Sequence, residues 1–156
     1  MFNGDALLRD LDGDGDADLV LTGSVYGPTG TEGATRVYRA DGCAFTPVAL
    51  APDLASLEGT ALGVGNVAGV GAELIVNGRI ANGGPVVAFV PLGTLAGPLA
   101  IRSREAGALH GDLVVYDYDR NGRADVLTIG VQEQSVNDLP ALVPAVFLYR
   151  LPGTGN

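Results

Sequence analysis

A nine-residue acidic motif occurs twice in this chain and limits the folds that it can adopt. It reads DLDGDGDAD at residues 10–18 and DYDRNGRAD at residues 117–125, so both copies fit the pattern D-x-D-x-[DN]-G-x-A-D. Four mostly apolar residues and a glycine follow each copy, and a weaker copy lies at residues 65–78. The last acids of the three copies are spaced 55 and 52 residues apart, at Asp18, Glu73 and Asp125. A unit that recurs at this period is typical of repeat architectures.

An aromatic-centred apolar segment follows each copy of the motif. These segments are RVYR at residues 36–39, VAFV at 87–90 and FLYR at 147–150. Each repeat therefore predicts a strand, an acidic turn, a second strand, a variable loop and an aromatic strand. A fourth strand is predicted at residues 44–50 in the first repeat and at 98–102 in the second. Four short strands in about 50 residues are typical of propeller blades.

The predicted fold class is all-β, with about three four-stranded antiparallel repeats arranged as β-propeller blades. We assign residues 1–156 to one domain, with repeats at about 4–56, 57–106 and 107–156, the last of which lacks its fourth strand. Propellers usually have four to eight blades. The chain is therefore expected to be a partial propeller, which either belongs to a larger one or is completed by oligomerisation, because an open stack leaves apolar sheet faces exposed.

Composition excludes several classes of protein. Hydrophobic residues make up 47% of the chain and charged residues 17%, which is incompatible with intrinsic disorder. The net charge of −9 argues against binding nucleic acid, whose phosphates require Lys and Arg. No apolar run is long enough to predict a membrane span, and the N-terminus does not resemble a signal peptide. Cys43 is the only cysteine, so it predicts a small buried side chain rather than a disulfide or thiolate metal site.

The acidic motifs predict two calcium sites. Acids at the first, third and fifth positions direct three side-chain oxygens at one centre, while glycine at the sixth allows a sharp turn and the seventh offers its carbonyl. Eight of the chain's acids fall within the two motifs, and such crowding of like charge is unfavourable without a cation. The predicted ligands in the first motif are Asp10, Asp12, Asp14, the carbonyl of Asp16, and Asp18. Those in the second are Asp117, Asp119, Asn121, the carbonyl of Arg123, and Asp125.

Two features separate these loops from an EF-hand. The bidentate Glu that an EF-hand requires at its twelfth position is replaced by Leu21 in the first loop and by Thr128 in the second. The apolar segments that follow the loops favour strands rather than helices. No metal is expected in the middle repeat, where Gly65, Val67 and Gly69 occupy the first ligand positions.

The motifs resemble FG-GAP repeats, also called VCBS-type repeats, which are the calcium-binding blades of integrin α-subunit propellers and many bacterial surface proteins. The resemblance spans nearly the whole chain and is strongest in the first and third repeats. It implies a β-propeller with calcium held between the first two strands of a blade, by the ligands named above. It also implies an extracellular or cell-surface location and a role in adhesion or interaction.

A non-catalytic binding module is the leading functional hypothesis. Its partner is expected to be a protein or a glycan, bound through the segments at residues 25–34 and 132–144, which are predicted to be long variable loops. The alternatives are a fragment of a calcium-dependent propeller enzyme such as a polysaccharide lyase, and a purely structural spacer. No catalytic residue is predicted, because the single histidine, His110, is expected to begin an inner strand and no nucleophile or phosphate-loop motif is present.

Overall fold

The computed structural model describes residues 2–28, 30–69, 71–80, 83–136 and 139–150. These residues form eleven β-strands and one short helix. The strands pair antiparallel in three sheets, two with four strands and one with three. The prediction of an all-β chain built from antiparallel units is confirmed. Among the described residues, no sheet closes on itself, and no helix is long and apolar enough to cross a membrane.

Each sheet is made of strands that follow one another along the chain. The first sheet contains β1 (Phe2–Arg9), β2 (Asp18–Gly27), β3 (Gly30–Asp41) and β4 (Ala44–Pro47). After helix α1 (Pro52–Ala55), the second sheet contains β5 (Glu58–Gly65), β6 (Glu73–Arg79), β7 (Pro85–Pro91) and β8 (Ser103–Ala106). The third sheet contains β9 (Leu109–Tyr116), β10 (Asp125–Val136) and β11 (Leu139–Tyr149).

The three sheets stack face to face with the second in the middle. Strand β6 is therefore buried along both faces from Glu73 to Gly78. One core, which includes Val20, Leu74 and Val90, lies between the first and second sheets. A second core lies between the second and third sheets and includes Ile75, Phe89 and Val126. The first strands of the sheets are neighbours, because β5 contacts both β1 and β9.

Small residues allow the second and third sheets to approach closely. A Cβ atom on Gly63 would lie 2.6 Å from Cδ1 of Leu113, and one on Gly65 would lie 2.5 Å from Cγ1 of Val115. Any larger side chain at either position would separate the two sheets. Burial of apolar side chains at these interfaces is the main favourable contribution to the fold, at about 25 cal/mol per Å² of apolar surface removed from water.

The structure corrects the prediction of one strand, of two loops and of the burial of Cys43. The predicted fourth strand at residues 98–102 is instead a connection, in which Leu99 is buried in the core and forms a single parallel bridge with Leu50; β8 starts only at Ser103. The predicted loops at 25–34 and 132–144 are mostly the paired arms of the β2–β3 and β10–β11 hairpins. Thr29, Asn137 and Asp138 in these segments lie outside the described residues.

Cys43 was expected to be buried, but it is exposed in the turn between β3 and β4. The preceding residue in this turn, Gly42, has φ 58°.

Candidate metal centre

Both acidic motifs form the loop between the first and second strands of a sheet. The first loop joins β1 to β2 and the second joins β9 to β10. Since the last acid of each motif is the first residue of the second strand, Asp18 pairs with Arg9 and Asp125 pairs with Tyr116 across the loop. The strand pairing therefore fixes both ends of each loop, and strands rather than helices flank the acids.

The first loop is organised by hydrogen bonds from backbone N–H groups to carboxylates. Both oxygens of Asp10 accept, from Gly13 at 2.7 Å and from Gly15 at 3.1 Å. Asp18 is fully buried, and its two oxygens accept from Leu11 at 2.9 Å and from Ala40 at 2.8 Å. Asp18 thus ties the loop to the third strand of its sheet.

The second loop repeats this arrangement with different residues. Both oxygens of Asp117 accept backbone N–H groups at 2.9 Å, from Asn121 and Gly122. Asp125 is buried and accepts the N–H of Tyr118 at 3.0 Å, as Asp18 does from Leu11. Arg120 adopts φ 59° at the position where the first loop has Gly13 at φ 83°. The two loops therefore share most of their hydrogen bonds although they differ in sequence; they differ in that the first acid also accepts from the fourth residue in the first loop and from the fifth in the second.

Each loop brings three carboxylates to one point. Asp10, Asp12 and Asp18 each offer an oxygen, and these atoms all lie within 4.8 Å of one another. The same holds for Asp117, Asp119 and Asp125. Three carboxylates at this separation repel one another, and a cation that bonds to all three removes the repulsion. Both clusters could hold a metal ion, and their oxygen-only donors suit a hard cation.

The remaining predicted ligands are not among the clustered carboxylates. Asp14 is not part of the first cluster; its carboxylate accepts the N–H of Asp16 at 3.0 Å and pairs with Arg39 at 2.8 Å. The hydrogen bond from Asp16 and the pairing with Arg39 hold the pKa of Asp14 below its usual value. The side chain of Asp16 is also outside the cluster, and it accepts the N–H of Gly42 at 2.8 Å. In the second loop, the side-chain oxygen of Asn121 accepts the N–H of Arg123 at 2.8 Å.

An arginine faces each acidic loop, and sequence reasoning did not identify these residues. Arg39 contacts Asp12 at 2.9 Å as well as Asp14, and the two carboxylates raise its own pKa, with Asp14 making the larger contribution. Arg150 lies 3.8 Å from Asp125 and stacks over the ring of Tyr118 at 5.3 Å. A signal was available, because both arginines directly follow a tyrosine in the aromatic strand of their repeat.

The middle loop pairs its acid with an arginine and has no cluster of carboxylates among its described residues. Its single acid, Glu73, is fully buried and accepts the N–H of Ala68 at 2.9 Å. The other oxygen of Glu73 pairs at 2.8 Å with Nε of Arg102, whose guanidinium lies 5.9 Å from the centre of the Phe89 ring. Gly65, predicted at the first ligand position, is instead the last residue of β5 and pairs with Glu73. Asn66 therefore takes the place of the first acid, and it accepts the N–H of Gly71 at 3.3 Å. A cationic side chain of the protein therefore neutralises the one carboxylate of this loop.

His110 lies outside both acidic loops. His110 is the second residue of β9, as expected for the start of an inner strand, and its side chain is exposed. It belongs to neither carboxylate cluster.

Tyr149, at the end of β11, gives a test of packing between the second and third sheets. Its hydroxyl and that of Thr128 are buried, and by geometry neither has a hydrogen-bond partner among the described residues. Burial, with a smaller effect from the charge of Glu105, raises the pKa of Tyr149 to about 12.

Because the folded state holds this proton more tightly than the unfolded state, its contribution to stability is complete below about pH 10 and is lost between about pH 10 and 12. Tyr149→Phe is expected to reduce this alkaline loss and to leave the free energy of unfolding at pH 7 unchanged or slightly higher. Urea unfolding at pH 7, 9.5 and 11.5 measures both effects. An unaltered alkaline loss in the variant would show that Tyr149 is not its source.

The chain matches no protein-family model, and no curated protein matches it.

Proposed function

We propose that this chain is a calcium-binding module of FG-GAP or VCBS type, whose sheets are blades of a β-propeller and whose role is non-catalytic interaction at the cell surface or outside the cell. The observation that carries the proposal is the recurrence of one loop structure. In each of two loops with different sequences, three equivalent carboxylates each have an oxygen within 4.8 Å of an oxygen of the other two. Solvated acidic turns that bind nothing have no reason to share this arrangement.

Calcium is the cation that these loops suit best. It takes six to eight oxygen ligands and tolerates irregular geometry, whereas Mg²⁺ demands a near-ideal octahedron and keeps several waters. In the first loop the ligands would be Asp10, Asp12 and Asp18, and Asp14 and the carbonyl of Asp16 are close enough in sequence to complete the shell. The second loop offers the equivalent set from Asp117, Asp119, Asn121, the carbonyl of Arg123, and Asp125.

The sheet arrangement supports the propeller interpretation. The first strands of the three sheets lie side by side and the sheets pack by their faces, as blades do around an axis. Bound calcium would fix the hairpin between the first two strands of a blade, and through Asp18 it would also fix the third strand. Its proposed role is to make the blades rigid so that exposed segments can present a constant surface to a protein or glycan.

Calcium titration of chelator-treated protein tests the proposal directly. Isothermal calorimetry is expected to give two ions per chain, with dissociation constants on the order of 10⁻⁴ to 10⁻³ M as in extracellular calcium modules. Asp12→Ala and Asp119→Ala are each expected to reduce the stoichiometry to one, and the double variant to abolish binding. A stoichiometry that neither substitution changes, or equal binding of Mg²⁺, would contradict the proposal.

A further inference from the structure

The three sheets carry equivalent rows of side chains on the same face, which is the one directed from the first sheet towards the third. The second residue after the last acid is Val20 in β2, Ile75 in β6 and Leu127 in β10. Register places each at the centre of a row across three strands. The rows are Leu7–Val20–Val37, Gly63–Ile75–Phe89 and Val114–Leu127–Leu148.

The first two rows are interfaces between sheets, and the third is exposed. Val20 and Val37 are buried against the second sheet, and Ile75 and Phe89 against the third. In contrast, Val114 is 56%, Leu127 38% and Leu148 54% exposed. The next row adds Ile129 and Val146, which pair with each other and are 50% and 67% exposed. We call these five residues the open third-sheet face. The equivalent faces of the first and second sheets are both buried against the next sheet.

The stack leaves a complementary face at its other end. The first residue after the last acid, which is Leu19, Leu74 or Val126, lies on the opposite face of its sheet. Leu74 and Val126 are fully buried, each against the preceding sheet. Leu19 has no preceding sheet within the described residues and is only half-buried, in a row with Leu8 and Tyr38. Leu8 is 63% exposed. We call Leu8, Leu19 and Tyr38 the open first-sheet face.

We infer that the open third-sheet face binds the open first-sheet face of a second copy of this chain. Within the chain, the face that carries the second residue after the last acid always packs on the face of the next sheet that carries the first residue after the last acid. Among the described residues, the open first-sheet face is the only face of the latter type that has no partner. The apolar character of both surfaces also favours their mutual burial over exposure to water.

A hydrogen bond between the first two sheets supports this pairing. Asp5 in β1 accepts the N–H of its neighbour Ala6 with one oxygen and, with the other, the N–H of Leu62 in the next sheet at 2.9 Å. Asp112 in β9 occupies the equivalent position and accepts the N–H of its neighbour Leu113 at 2.8 Å. By the same equivalence, its second oxygen would accept an N–H from strand β1 of the second copy.

The proposed contact is heterologous, because two different faces of the chain meet. Such contacts form a ring if the rotation closes and a filament if it does not. The described residues of two chains form six sheets, which is within the four to eight that propellers use, so a closed dimer is the expected product. Closure depends on the propeller geometry of the proposed function, whereas the pairing of the two faces does not.

Multi-angle light scattering with two complementary variants tests the inference. The wild-type chain at about 100 μM is expected to have twice its 15.8 kDa monomer mass. Leu127→Glu and Leu8→Lys should each weaken the dimer by on the order of 100-fold, because a charge is forced against an apolar face. In an equimolar mixture, a dimer of the two variants has one contact between unchanged faces and one contact that places the introduced glutamate opposite the introduced lysine. The mass of a dimer should therefore return. Tyr26→Lys is the control, since Tyr26 is 84% exposed near the tip of the β2–β3 hairpin and belongs to neither open face.

Three results would overturn the inference. They are a monomeric wild-type chain, a Leu8→Lys variant that dimerises normally, and a mixture that stays monomeric. The second would indicate that the third-sheet face pairs with itself. Circular dichroism confirms that each variant is folded, and the calcium titration described above is repeated on each. Normal calcium binding by a monomeric wild-type chain would reject this inference and leave the proposed function intact.

Discussion

Removal of calcium is expected to lower the melting temperature of this protein by roughly 10–20 °C. A ligand at about 100 times its dissociation constant stabilises the folded state by about 2.7 kcal/mol per site, so two sites contribute about 5 kcal/mol. In a domain of this length, each kcal/mol corresponds to a change of about 2–4 °C in the melting temperature. Thermal unfolding followed by circular dichroism, first in chelator and then with calcium restored, measures the difference.

Single substitutions divide this effect between the two loops. Asp12→Ala and Asp119→Ala are each expected to remove about half of the calcium-dependent shift, because each deletes one of the three clustered carboxylates. Asp16→Ala is the matched control in the first loop. It keeps the backbone carbonyl and removes only a side chain that points to Gly42, so most of the shift should remain. Absence of any shift at about 10 mM calcium, well above the dissociation constants expected of such modules, would mean that the loops are acidic turns without a metal.

The stabilisation is expected to extend beyond the loops themselves. Asp10 and Asp117 organise their loops through backbone N–H groups, but Asp18 also holds Ala40 in β3. Without a cation, the repulsion between clustered carboxylates opposes the same conformation that these hydrogen bonds favour. Hydrogen exchange should therefore accelerate in chelator both in the first loop and at the end of β3.

Local signals explain why the loops and their flanking strands could be predicted from the sequence. Alternating acids and a glycine at a fixed position specify a turn within a few residues, and the apolar segment after it specifies a strand. The aromatic segments likewise fall within β3, β7 and β11, except that Arg150 follows the last residue of β11. These features depend on residues close together in the chain, so no tertiary information was needed.

The features that the sequence did not predict depend on distant contacts or on weak turn signals. The partner of Glu73 is Arg102, which is 29 residues away in a connection between strands. Residues 132–144 have little regular alternation and two prolines, yet they extend the β10–β11 hairpin, because pairing continues from the well-specified part of both strands. Residues 98–102 are apolar because Leu99 enters the core between the first and second sheets, rather than because they form a strand.

Substitution of Arg102 by alanine is expected to be strongly destabilising whether or not calcium is present. Glu73 has a side chain only 1% exposed, and Arg102 supplies the cation that pairs with it. Removing one partner of a buried ion pair leaves an uncompensated charge, which typically costs 3–5 kcal/mol. Because the Arg102 side chain is 36% exposed, water can partly replace it, and we expect a loss of about 2–4 kcal/mol. Urea unfolding at pH 7 measures this loss.

Two further variants separate the buried charge from other effects of the substitution. Arg104→Ala removes an arginine two residues further along the chain, whose ion pair with Asp53 is 40% exposed on both sides, so a loss below about 1 kcal/mol is expected. Glu73→Gln in the Arg102→Ala background removes the unpaired charge and should recover part of the lost stability. Two results would contradict this role of Arg102: equal destabilisation by Arg102→Ala and Arg104→Ala, or a double variant no more stable than Arg102→Ala. Either result would mean that Arg102 does not neutralise the acid of the middle loop, as calcium is proposed to do in the other two loops.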